Sequence, residues 1–399
     1  MTPDRFRALW DTLAPIGRDP VSGGYLRYAW TEAELACRRW FAAQAAARRM
    51  PVEEDGNGNL FAWWTPAGSG AAVVTGSHFD SVPQGGAYDG PLGIAGGFLA
   101  VDELRDRGVS PVRPVAVAAF AEEEGARFGV PCLGSRLLTG ALDPARAGAL
   151  TDRDGVMLSA AMGAPPAGAQ PELLDRVGCF VELHVEQGRA LDPLGAPIGV
   201  GQAIWPHGRW RVEITGEANH AGTTLMTDRR DPMLTYAHLV LIANKEARLR
   251  GAHATVGRVA VEPNATNAVP SRVRAWVDAR AADTAAVAAL LAAIESRLEE
   301  RAARDGTEVR FARESYSPVV AFDDRLVGRL AEVLGDAPVL PTAAGHDAGV
   351  LAAHVPTAML FVRNPTGVSH APTEAATDAD CAAGVDALAT ALAELACRP

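Results

Sequence analysis

Cationic charge is in short supply: 37 Lys+Arg stand against 48 Asp+Glu, for a formal net charge of −11. That is the wrong sign for a protein that neutralises phosphates or anionic lipid, so nucleic acid and acidic membranes are excluded as partners. Long apolar runs are missing too, and no stretch of roughly 18 uninterrupted apolar residues is available to span a bilayer. The five cysteines, Cys37, Cys132, Cys179, Cys381 and Cys397, are scattered and form neither C-x-x-C pairs nor a dense framework. A reducing, cytoplasmic compartment fits that usage. Residues 1–7 open an amphipathic stretch instead of a charged head and an apolar run, so no secretory signal is expected. The sequon Asn264-Ala265-Thr266 accordingly reads as chance.

Several catalytic signatures are also absent. There is no G-x-x-x-x-G-K-S/T phosphate loop and no G-x-S-x-G elbow, and the glycines of 90–97 do not have the G-x-G-x-x-G dinucleotide spacing. What remains is a chain of 399 residues, 48% apolar and 21% charged, with the composition of a globular protein of two or three domains.

From residue 71, short apolar runs (71–75, 115–120, 178–183) alternate with helical patterns (92–105, 133–138), the rhythm of a sheet covered by helices. Residues 158–170, rich in Ala, Gly and Pro, read as a loop or loosely helical connection. Around Trp210 the pattern becomes strand (210–214), helix (231–248), two strands (255–261, 272–279), helix (284–304) and strand (308–314), with apolar and polar residues alternating along the strands. This βαββαβ order resembles a ferredoxin-like unit. The expected architecture is α/β: a catalytic domain from 1–209 and 321–399, with an inserted α+β domain at 210–320.

Four clusters carry the chemistry. His78-Phe79-Asp80 ends an apolar strand, the edge where α/β folds place their sites, and Asp80 can hold one ring nitrogen while the other meets a metal. Asp89, set among glycines before a helix, can face the same spot. Glu122-Glu123-Glu124 follows the next strand; three adjacent carboxylates repel unless a cation or a raised pKa relieves them, and alone they suit a solvated acidic turn equally well. Glu182-Leu183-His184-Val185-Glu186-Gln187 and Gly367-Val368-Ser369-His370 complete the set. Three histidines and two carboxylates supply five ligands for two divalent ions. A shared carboxylate and two ions would acidify a water, and a neighbouring free glutamate would take its proton.

These motifs, together with Glu123-Glu124-Gly125-Ala126-Arg127-Phe128 and His220-Ala221-Gly222-Thr223-Thr224, resemble the di-metal amidohydrolases related to aminoacylases. Within them the chain is similar to the branch of N-carbamoyl-L-amino-acid hydrolases and allantoate amidohydrolases, over nearly its whole length. The resemblance implies His78, Asp89, Glu124, His184 and His370 as ligands of two Zn²⁺ or Mn²⁺ ions, with Asp89 bridging. It implies Glu123 as general base and Asp80 as the orienter of His78. Gln187, His220, Asn267, Arg280 and Gly367 would hold the substrate, His220 and Asn267 at the oxyanion and Arg280 at a carboxylate. It further implies a phosphorylase/hydrolase-like catalytic domain, an inserted lid that also dimerises, and a homodimer in which His220 reaches the partner's site.

The chain departs from the family pattern at Leu225, where proline usually follows Thr-Thr, and at Ala343-Ala344, where Ser-Gly is commoner; neither is a proposed ligand. His346 and Asp347 read as supporting or structural. The polar set suits a small ureido-carboxylate better than an acyl substrate, and within ureido acids the run 361–367 looks more like allantoate amidohydrolases than carbamoylases. Aminoacylase or peptidase chemistry is the nearer rival. A binding protein on a disabled hydrolase fold would lack a ligand or the base, and none is missing.

Overall fold

The apolar runs Val115–Phe120, Ala72–His78, Val177–Val185 and Thr357–Val362 form adjacent parallel strands, buried almost throughout. Burial on both faces is what a parallel sheet under helices requires, and it explains why these runs are continuous instead of alternating. The computed structural model describes residues 1–65 and 70–397. Leu60–Trp64 and Val52–Glu54 extend the sheet antiparallel on one side, and Ile198–Ile204 pairs antiparallel with Thr357–Val362 on the other.

The chain divides into two units, Met1–Gln202 with Ala321–Pro399, and Ala203–Val320. In the first, the helix Pro91–Asp106 is buried along most of its length. Its glycines serve packing: a Cβ at Gly93 would lie 2.3 Å from the Leu183 carbonyl oxygen, so only glycine lets the helix approach the sheet this closely. That accounts for the glycine-rich 90–97 stretch without any dinucleotide. Residues 158–170 hold one short helix, Leu158–Met162, followed by irregular chain.

The second unit is built on a four-stranded antiparallel sheet in the order Glu308–Ser317, His207–Thr215, Arg272–Arg280, His253–Glu262. Along Arg272–Arg280 every second residue is buried: Val273, Ala275, Val277 and Ala279. They meet Leu239 and Ala243 of the helix Pro232–Arg250 and Leu290, Ile294 and Leu298 of the helix Thr284–Asp305. Asp231 and Asp283 cap these two helices by accepting backbone N–H bonds from Met233 and Ala286. Among the described residues, no helix is long and apolar enough to cross a membrane.

Candidate metal and hydrolytic centre

Parallel strands deliver their carboxyl ends to one edge of the sheet, and the loops leaving those ends converge there. His78 is the last residue of its strand, Glu122–Glu124 follow Phe120, and His184 is the penultimate residue of the neighbouring strand. The His78 and His184 rings lie 5.9 Å apart, stacked.

Both rings are held by main-chain carbonyls. His78 Nδ1 lies 3.0 Å from the Asp80 backbone oxygen, and His184 Nδ1 lies 2.9 Å from that of Val185. A carbonyl can only accept, so Nδ1 carries a proton, and the ring in its neutral form presents its lone pair at Nε2. His78 Nε2 stands 3.6 Å from Asp89 Oδ1 and 3.7 Å from Glu123 Oε2, while His184 Nε2 stands 3.4 Å from the same Asp89 Oδ1. On its other side Asp89 Oδ2 is 3.4 Å from His370 Nε2, which is also 3.4 Å from Glu124 Oε2. Nε2 of His78 and of His184 are buried without a hydrogen-bond partner. Two ligands each about 2.1 Å from a tetrahedral ion are about 3.4 Å apart, so these separations suit a shared cation and are too long for direct hydrogen bonds. Both groups, His78 with Asp89 and His184, and Asp89 with Glu124 and His370, could hold a metal ion.

The electrostatics point the same way. Burial alone lowers the basicity of His78, yet Glu123, Asp89 and Asp80 outweigh it and raise the imidazole well above its usual range. Burial, then repulsion from Asp89, pushes Glu124 up to about 7. Glu123 is raised well above the ordinary carboxylate range, first by burial and then by Asp347, Glu124 and Asp80, against the opposing pull of His78. Glu123 and Glu124 are penalised as anions while the His78, His184 and His370 imidazoles are drawn toward positive charge, the pattern of a site short of the positive charge that a bound cation would supply.

Asp80 is placed differently from expectation. Its carboxylate is 3.7 Å from His78 Nδ1 and instead accepts N–H bonds from Glu123 (3.1 Å) and Glu124 (3.0 Å), so it fixes the acidic turn while its main-chain carbonyl orients the ring. Gln187 Nε2 donates to Asp89 Oδ2 at 2.8 Å. The Gly367 N–H is already donated to Asn364 Oδ1, and its φ of +67° is what the loop leading to His370 needs.

His220 and Asn267 lie on the second unit, both exposed, joined where the Ala221 N–H donates to the Asn267 carbonyl. His220 Nδ1 accepts N–H bonds from Gly222 and Thr223, so the neutral ring carries its proton on Nε2 and can donate outward. Arg280 ends the strand Arg272–Arg280 and grips Asp278 through Nε (2.8 Å) and a terminal nitrogen (3.3 Å).

Three groups stood outside the ligand, base and substrate sets expected from the sequence. Glu374 accepts N–H bonds from Tyr88 (2.8 Å) and Asp89 (3.0 Å) and so pins the turn bearing Asp89. It follows His370 of the last motif by four residues, but nothing in its spacing points 285 residues back along the chain. His346 is buried with its ring 4.5 Å from that of His184, forming a third potential group with Glu182. Asp347 accepts from Ser135 at 2.5 Å, and the run Gly345-His346-Asp347 was the visible signal for both His346 and Asp347.

Residues 74–394 match the model of peptidase family M20/M25/M40. The chain is 36% identical to the N-carbamoyl-L-amino acid amidohydrolase of Geobacillus stearothermophilus, over 95% of this chain and 96% of that one. It is 33% identical to the allantoate amidohydrolase of Escherichia coli K12, over 96% of each. A crystal structure of a hydantoinase/carbamoylase family amidase from Burkholderia ambifaria superposes with a TM-score of 0.88 at 32% identity, covering 99% of this chain and 98% of that one. The chain therefore belongs to peptidase family M20/M25/M40, among its hydantoinase/carbamoylase-type amidohydrolases.

Proposed function

We propose that the protein hydrolyses the ureido C–N bond of a small carboxylated substrate, allantoate first, with N-carbamoyl-L-amino acids and N-carbamoyl-β-alanine as the alternatives. The observation that carries this reading is Asp89, whose two oxygens face two separate groups of donors while the Glu123 carboxylate stands 3.7 Å from one of them. His78, Asp89 and His184 would hold one divalent ion and Asp89, Glu124 and His370 a second; zinc and manganese both suit such a mixed nitrogen and oxygen set. When bound, such ions polarise a carbonyl and acidify a water.

The chain's own groups do the rest. Glu123 takes the proton of the attacking water and returns it to the leaving nitrogen as the C–N bond breaks, and the carbamate left behind decomposes to ammonia and carbon dioxide. His220 Nε2–H and the Asn267 amide donate to the oxyanion. Arg280, exchanging Asp278 for the substrate carboxylate, fixes which face is attacked. The alternation of ureido and carboxylate recognition favours this reading over an acylase, which would offer an apolar pocket.

The assembly belongs to the proposal. Strand His253–Glu262 ends its sheet, exposes Val259 at 44%, and carries little charge over 255–261. The helix Pro232–Arg250 exposes Leu241 (65%) and Leu249 (66%). An edge and a face of this kind support a homodimer in which His220 of one subunit serves the partner's centre. The scattered thiols support a reducing, cytoplasmic setting.

The test is a screen of purified protein with added Mn²⁺ against allantoate, N-carbamoyl-L-amino acids and N-carbamoyl-β-alanine, repeated after chelation. Release of ammonia from a ureido acid, lost on chelation and restored by Mn²⁺, Zn²⁺ or Co²⁺, is expected. Full turnover after exhaustive chelation, with metal loss confirmed by elemental analysis, overturns the two-metal reading.

A further inference from the structure

Cys132 lies outside every motif above, yet it touches the residue read as the proton acceptor. Its Sγ is 3.5 Å from Glu123 Oε1, contact distance for the large sulfur atom, while Glu123 Oε2 faces His78. The two oxygens of one carboxylate therefore have separate neighbours.

The backbone explains how the contact is made. Cys132 N–H donates to the Glu123 carbonyl (2.7 Å), Leu133 N–H to that of Glu122 (3.1 Å) and Gly134 N–H to that of Ala121 (2.9 Å). These three bonds tie the acidic turn to the start of the helix Leu133–Leu138. Closing them holds Cys132 at φ +53°, a left-handed conformation that glycine would adopt without strain. A side chain kept where the backbone prefers none invites a functional reading. The thiol is 95% buried, and burial followed by the Glu123 charge pushes its pKa well above the usual range, so the sulfur keeps an S–H to donate.

We infer that Cys132 is a positioning residue: its S–H donates to Glu123 Oε1 and fixes the carboxylate with Oε2 toward the reacting water. The inference rests on Glu123 being the base.

Three variants of the metal-loaded enzyme test it. Cys132→Gly relieves the backbone and removes the donor, Cys132→Ala removes the donor alone, and Cys132→Ser restores one. The expected result is a fall in kcat of about threefold to tenfold for Gly and Ala, the scale of one modest hydrogen bond, with KM and metal content unchanged. Ser should return kcat to within about twofold of the parent. If Gly and Ala turn over at the parental rate while Glu123→Gln is inactive, the positioning role is wrong; if Glu123→Gln is itself fully active, the reading of Glu123 falls instead. A loss that Ser does not repair, at constant metal content, also overturns the hydrogen bond. An infrared difference spectrum between parent and Glu123→Ala gives a readout independent of the Cys132 variants' folding. The S–H stretching band should shift, and an unmoved band overturns the contact.

Discussion

Oδ1 of Asp89 stands 3.4 Å from Nε2 of His184, too far for a hydrogen bond and the spacing of two ligands around one ion. The other Asp89 oxygen stands equally far from His370 Nε2. Asp89→Ala should therefore lose both metal ions, whereas His370→Ala or Glu124→Ala should lose one. Elemental analysis after dialysis decides it, and an Asp89→Ala protein retaining its full complement would rule out a shared ligand.

Glu123→Gln keeps the shape of the side chain and cannot accept a proton. We expect turnover to fall about 10²–10⁴-fold with both ions retained, the range for a general base. Loss of one ion instead would show that Glu123 and Glu124 exchange roles.

Glu374 holds the Asp89 turn through two N–H bonds to one oxygen, Oε1. Glu374→Ala leaves those donors buried and unpaired and should weaken metal affinity about 10–100-fold, the usual cost of removing a group that orients a ligand. Glu374→Gln, whose amide oxygen can still accept both bonds, should stay near the parental affinity. A competitive chelator titration compares the three proteins, and equal affinities would show that Glu374 does not hold the turn in place for the metal.

Arg280 presents a two-pronged donor, which Asp278 occupies in this structure. Arg280→Lys should raise KM for carboxylated ureido substrates far more than for an uncarboxylated analogue, because an ammonium cannot reproduce the paired contact. An equal loss on both would make Arg280 a structural residue.

His220→Ala and Glu123→Gln should each be inactive as pure proteins. In a shared-site homodimer, exchange of subunits creates one centre with both groups intact, so the mixture should regain some activity. Proven exchange without recovery, or an active monomer, would sink the shared site.

The sequence alone carried what local chemistry can encode. Continuous apolar runs such as 115–120 announced buried parallel strands, the alternation of 272–279 announced a sheet with one wet face, and His78, Glu123–Glu124 and His184 could be placed at strand ends because a strand's end is a local event. What it could not carry were pairings between distant segments. The N–H groups of Tyr88 and Asp89 meet Glu374, and Ser135 meets Asp347, 212 residues on, only once the sheet has assembled. Asp80 shows the same limit at close range: two residues after His78 it looked like the partner of the ring, but burial forced its carboxylate to satisfy the Glu123 and Glu124 N–H groups and left the ring to a main-chain carbonyl. Residue type determined which groups could bind or move a proton; the tertiary structure decided which buried polar atom each satisfies, because that depends on which segments are brought within hydrogen-bonding reach away from water.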